Sequence, residues 1–106
     1  MAPQPLTDAE LTEALADLPG WQVADGELTA TYKCARADVP AFYATVAAAE
    51  DQANHHARIT ILYGTLTFAL TTHDAGNRIT ATDVEFAARV ASFAAAHDAQ
   101  SVTAQG

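Results

Sequence analysis

The chain reads as an α+β protein, a single domain with the element order α-β-β-α-β-β-α. Three observations predict this. Apolar residues recur at helical spacing in three separate segments, they alternate with polar ones at period two in two others, and turn dipeptides divide the alternating stretches. At 106 residues and 50% hydrophobic content, residues 1–106 are expected to form one domain around one core. A chain of this size buries enough surface to fold without disulfide or metal staples.

The first helix is announced by Thr7-Asp8-Ala9-Glu10, a capping box in which hydroxyl and carboxylate each satisfy an orphan backbone donor. Leu6 and Leu11 stand at the staple positions, Leu11, Leu15 and Leu18 form an apolar stripe, and Pro19-Gly20 stops the helix, predicting 8–18. Trp21-Gln22-Val23 and the alternating Leu28, Ala30 and Tyr32 flank Asp25-Gly26, a dipeptide suited to the positive φ angles of a tight hairpin. From Asp38, a plausible cap, the spacing of Val39, Phe42, Tyr43, Val46 and Ala47 predicts a second helix to about 52, with Pro40 in its first turn. Ile59, Ile61 and Tyr63, then Gly64, then Leu66, Phe68 and Leu70 interleaved with threonines predict a second hairpin. A third helix begins near Thr80, carries Val84, Ala87, Ala88, Ala91 and Ala94 along one side beside Phe86, Val90 and Phe93, and ends near His97, leaving a short polar tail. Four strands need helices covering one face.

Thirteen acidic against five basic residues give a formal charge of −8, which repels polyanions and argues against direct nucleic-acid binding. The N-terminal stretch has neither the basic region nor the apolar run of a secretory signal, no segment approaches the ~18 apolar residues of a membrane span, and the lone Cys34 forms no internal disulfide. A cytoplasmic protein without membrane contact is expected, with Cys34 serving packing.

Chemistry is concentrated in the histidines. Three of the four, His55, His56 and His73, fall within nineteen residues, and imidazole is the side chain that exchanges protons near neutrality. His55-His56 is placed where the second helix meets the third strand and His73 just past the fourth strand, so the hairpin can bring them to one edge of the sheet. Glu50 and Asp51 lie in the last turn of the second helix, where the helix dipole opposes carboxylates, so something should compensate them. Asp51 and His55 are spaced i,i+4 and would hydrogen-bond if the helix ran one turn further, whereas Glu50 is expected in solvent. Asp83 falls at the N3 position of the third helix, where a capping role competes with a catalytic one. A metal shell of His55, His56, His73 and Asp74 or Asp83 is conceivable but disfavoured, because adjacent histidines diverge.

The set Asp51, His55-His56, Tyr63, His73 and Asp83, together with Gly20-Trp21, Leu70-Thr71-Thr72-His73-Asp74 and Ile79-Thr80, resembles the signature of the pterin-4a-carbinolamine dehydratases, also described as dimerisation cofactors of a homeodomain transcription factor. The resemblance covers nearly the whole chain. It implies a four-stranded antiparallel sheet with three helices packed on one face, a homodimer or homotetramer, and a pterin as substrate with neither metal nor organic cofactor. The implied reaction is loss of water from a 4a-hydroxytetrahydropterin to give a quinonoid dihydropterin, in tetrahydropterin recycling. The implied catalytic residues are His55, His56 and His73, with His55 and His73 moving protons; Asp83, Asp51 and Tyr63 are the implied substrate-binding set, Asp51 also orienting His55. Two departures stand out. Ala57-Arg58 replaces the usual proline and acidic residue, and Ala75-Gly76-Asn77-Arg78 is one residue longer than the usual turn. They keep open a second function, that of a non-catalytic pterin-binding or protein-dimerisation module.

Overall fold

Backbone donors and acceptors at the turns decide where each element starts and stops. The computed structural model describes residues 4–102. Helix α1, Asp8–Ala16, opens on the full capping box, with Thr7 Oγ1 accepting from Glu10 N and Glu10 Oε1 from Thr7 N. It ends before the expected 18, because Asp17 and Leu18 close tighter backbone turns onto Ala14 and Leu15. Strands β1, Gln22–Ala24, and β2, Glu27–Lys33, pair antiparallel across Asp25-Gly26, both left-handed at φ 53 and 78. That is the backbone a two-residue hairpin turn demands.

Helix α2, Val39–Ala53, follows a short 3-10 turn over Arg36–Asp38. That turn already holds Asp38 in helical backbone, so its side chain makes no cap hydrogen bond, contrary to expectation. The helix stops at Asn54, left-handed at φ 51 and ψ 45, a conformation asparagine tolerates. Strands β3, Arg58–Leu62, and β4, Thr65–Leu70, form the second hairpin, and helix α3, Ala81–Ala96, opens on a capping box of Thr80 and Asp83. Gln100–Val102, expected as polar tail, is a fifth strand, β5.

The antiparallel sheet runs β1-β2-β4-β3, and β5 pairs with residues 31–33 of β2 on the edge that the shorter β1 leaves open. Unpaired backbone groups of β2 attract that segment, a cause its side chains do not display. Leu28, Ala30 and Tyr32 of β2 and Leu66, Phe68 and Leu70 of β4 face the helices, meeting Phe42 and Val46 of α2 and Phe86 and Val90 of α3. Trp21 Nε1 donates to Tyr32 Oη at 2.9 Å inside this core, and burial pushes the Tyr32 phenol above its ordinary value of 10.0. Burial, then the Asp38 charge, likewise raises the Cys34 thiol, keeping it a packing group rather than a thiolate. No described helix is long and apolar enough to cross a membrane.

Candidate active site

The end of α2 generates the site. With Asn54 left-handed, the chain turns off the helix axis and His55 N–H returns to Glu50 O at 3.0 Å, so residues 55–57 leave as an extended segment into β3. The further helical turn on which an Asp51–His55 bond depended is therefore missing, and with it that bond. Asp51 Oδ1 instead partners His56 Nε2 at 3.2 Å, both side chains largely in solvent. His55 turns inward, where Nε2 lies 2.6 Å from Asp83 Oδ1. Its ring meets Phe86 edge-on, with centroids 6.1 Å apart.

Asp83 has no exposed side-chain surface and is fully partnered. Its Oδ2 accepts from Thr80 N at 2.8 Å and from Thr72 Oγ1 at 2.7 Å, leaving Oδ1 for His55. Capping and the histidine contact, posed as competing roles, are thus carried by different oxygens of one carboxylate. With Thr80 N–H and Thr72 O–H donating to Oδ2, Oδ1 is the acceptor for a His55 that presents Nε2–H, the tautomer whose lone pair lies on Nδ1. Against the expectation of direct pterin contact, Asp83 has no exposed side-chain surface and lies beneath His55. Thr72 and Thr80, whose hydroxyls meet at 2.7 Å, complete the support; from the sequence they stood only in motifs, Thr80 as a helix start, and neither as a site residue. Their signal was the Thr-x-x-Asp box and the threonine preceding His73.

His73 begins a 3-10 turn, His73–Ala75, after β4. The longer loop closes on itself, with Gly76 and Asn77 both left-handed, Asn77 N bonded to Thr72 O and Thr72 N to Arg78 O. Asn54, His55, His56, Thr71, Thr72, His73 and Asp74 line one cavity of about 290 Å³. His56, Thr71 and His73 also line an adjoining cleft of about 720 Å³, walled by Val23, Leu11, Ile79, Arg58 and Arg78. That volume lies within the ~300–1,000 Å³ of small-molecule sites. Arg58 is held across this cleft by Glu27 at 2.7 Å.

Tyr63 is not part of the cluster. It occupies the β3–β4 turn, left-handed at φ 54 and 75% exposed. All of β3 separates it from His56, roughly 16 Å of strand at ~3.3 Å per residue. Tyr63 thus stands at the far end of β3 from the histidines and lines neither of the two cavities described above. Glu50, expected in solvent, is 5% exposed, its Oε2 accepting Ala57 N–H at 2.7 Å. Among the described residues no three His, Cys, Asp or Glu side chains converge to hold a metal ion, so the alternative shell of His55, His56, His73 and Asp74 or Asp83 is not assembled.

Comparison with known proteins gives a consistent picture. Residues 4–93 match the family described as Pterin 4 alpha carbinolamine dehydratase. A Streptomyces coelicolor protein provisionally named a pterin-4-alpha-carbinolamine dehydratase is 39% identical over 100 residues, 93% of this chain and 99% of its own length. One from Chloroflexus aurantiacus, with the same provisional name, is 38% identical over 86 residues, 80% of this chain and 91% of its own. The crystal structure of a transcriptional coactivator/pterin dehydratase from Brucella melitensis superposes with a TM-score of 0.81 at 29% identity, covering 86% of this chain and 99% of that one.

Proposed function

The chain belongs to the pterin 4 alpha carbinolamine dehydratase family, and we propose that it dehydrates a 4a-hydroxytetrahydropterin to the quinonoid dihydropterin, in tetrahydropterin recycling. The observation that carries this reading is His55, held at 2.6 Å by a fully buried carboxylate and opening onto a cavity it shares with His56 and His73. The reaction breaks the C4a–O bond and forms C4a=N5. A proton must reach the departing hydroxyl, which leaves as water, and the N5 proton must be removed.

Two imidazoles in opposite protonation states supply both transfers, each positioned group contributing about 10²–10⁴-fold. We assign them to His55 and His73. His55 Nδ1 is the free ring atom, Asp83 fixing the tautomer from below. His56, steadied by Asp51, lines both the cavity and the larger cleft and holds the pterin. No metal, covalent nucleophile or organic cofactor enters this scheme. The exposed edge strand β3, with Ile61 and Leu62 at 42% and 77% exposure, supports pairing with a second copy into a homodimer or homotetramer.

The test supplies 4a-hydroxytetrahydropterin and follows dehydration above the spontaneous rate for wild type, His55→Ala, His56→Ala and His73→Ala. Acceleration by wild type that falls at least a hundredfold in His55→Ala is expected. Binding of the pterin without acceleration would instead identify a non-catalytic module.

A further inference from the structure

We infer that Glu50 is the positioning residue for the histidine pair, a role that rests on the reaction proposed above. It brackets the dipeptide with two groups at once. Its carbonyl oxygen accepts His55 N–H at 3.0 Å, and its side-chain Oε2 accepts Ala57 N–H at 2.7 Å, so the backbone is tied immediately on both sides of His56.

Helix stability does not account for a glutamate there. The residue lies in the last turn of α2, where the dipole opposes negative charge, and it is 5% exposed, where burial opposes it again. A neutral or apolar side chain would serve packing better. The buried side chain is compensated by the amide it grips, since a buried polar group without a partner would cost stability. Asp51, the next residue, holds the His56 ring at Nε2, so two consecutive carboxylates divide the task between backbone and imidazole.

The segment needs such a tie. Residues 54–57 belong to neither α2 nor β3, and a free link of this kind samples many conformations, which disperses the general acid and base. With alanine rather than proline at position 57, φ is not locked by a ring, and the Ala57 N–H is present as a donor. Glu50 uses that donor to achieve the restriction.

Glu50→Gln keeps an acceptor oxygen, Glu50→Leu keeps the volume without one. Steady-state dehydration of 4a-hydroxytetrahydropterin, below the melting temperature of each variant, should give kcat within about twofold of wild type for Glu50→Gln. For Glu50→Leu kcat should fall about tenfold or more, with a smaller change in KM. Equal kcat in a folded Glu50→Leu, or an equal loss in both variants, overturns the inference. Amide hydrogen exchange provides a readout independent of turnover: Ala57 N–H in the wild type is expected to exchange at least a hundredfold slower than a free peptide, and about tenfold faster in Glu50→Leu than in Glu50→Gln. Exchange at the free-peptide rate in wild type overturns the tie even if Glu50→Leu does not fold. Absence of dehydration in wild type with Ala57 protected would refute the reaction while leaving the bracket intact.

Discussion

At the scale of single residues, one carboxylate carries two loads. Asp83 closes the capping box of α3 through Oδ2 and holds His55 through Oδ1, with no exposed side-chain surface of its own. Asp83→Asn is therefore expected to lower kcat, because the amide offers His55 either a donor or a weaker acceptor and no longer selects one tautomer. The loss should lie between about tenfold and the ~10²–10⁴-fold that a general acid or base contributes. KM should stay near wild type, since a buried group contributes no pterin contact. A raised KM at unchanged kcat in steady-state assays would restore the direct binding role. Residue identity was the most legible layer: His55, His56, His73 and Asp83 were chosen from the sequence, and they converge. Their partners were not legible. The i,i+4 spacing of Asp51 and His55 is a pairing only if the helix continues, and a left-handed Asn54 ends it.

At the scale of elements, turns and caps decide the frame. Gly64 illustrates a glycine required for close approach: a Cβ built there would lie 2.2 Å from the Cys34 carbonyl oxygen, which is backbone and cannot swing away. Cys34 N also donates to Gly64 O at 2.9 Å, joining the second hairpin to the end of β2. Gly64→Ala is expected to destabilise by about 1–3 kcal/mol, as overpacking does. Its urea midpoint should fall with an unchanged slope, and an unshifted midpoint would contradict the contact. Capping boxes and the Asp25-Gly26 turn were readable because they are local, with all participants within a few residues. β5 was not, because only Val102 of its three residues is apolar and the cause of its pairing is the vacant edge of β2, seventy residues away in the chain.

At the scale of the whole molecule, one sheet face packs on the helices and the other carries the threonines of β2, β3 and β4, with Thr31 and Thr67 hydroxyls 3.3 Å apart. β3 is the terminal strand of the four-strand path, and Ile61 and Leu62 are exposed along it, with Tyr63 exposed in the turn that follows. The proposed pairing of two copies through that edge predicts a sedimentation coefficient above the monomer value at micromolar concentration. Ile61→Glu with Leu62→Glu should return it to the monomer value, since like charges brought together across a new ladder repel. A wild type that sediments as a monomer would dismiss the assembly without touching the site.

The sequence by itself determined the α+β class, the order of helices and hairpins, the two capping boxes and the choice of histidines, because periodicity, turn chemistry and residue type act over short stretches of chain. Only the tertiary structure decided which carboxylate holds which histidine, that Glu50 is buried against Ala57, that Tyr63 lies at the wrong end of its hairpin and that β2 gains another neighbour. Those outcomes depend on where segments far apart in sequence come to rest, and a hydrogen bond of 2.6 Å between residues 55 and 83 exists only after the core has brought α2 and α3 together.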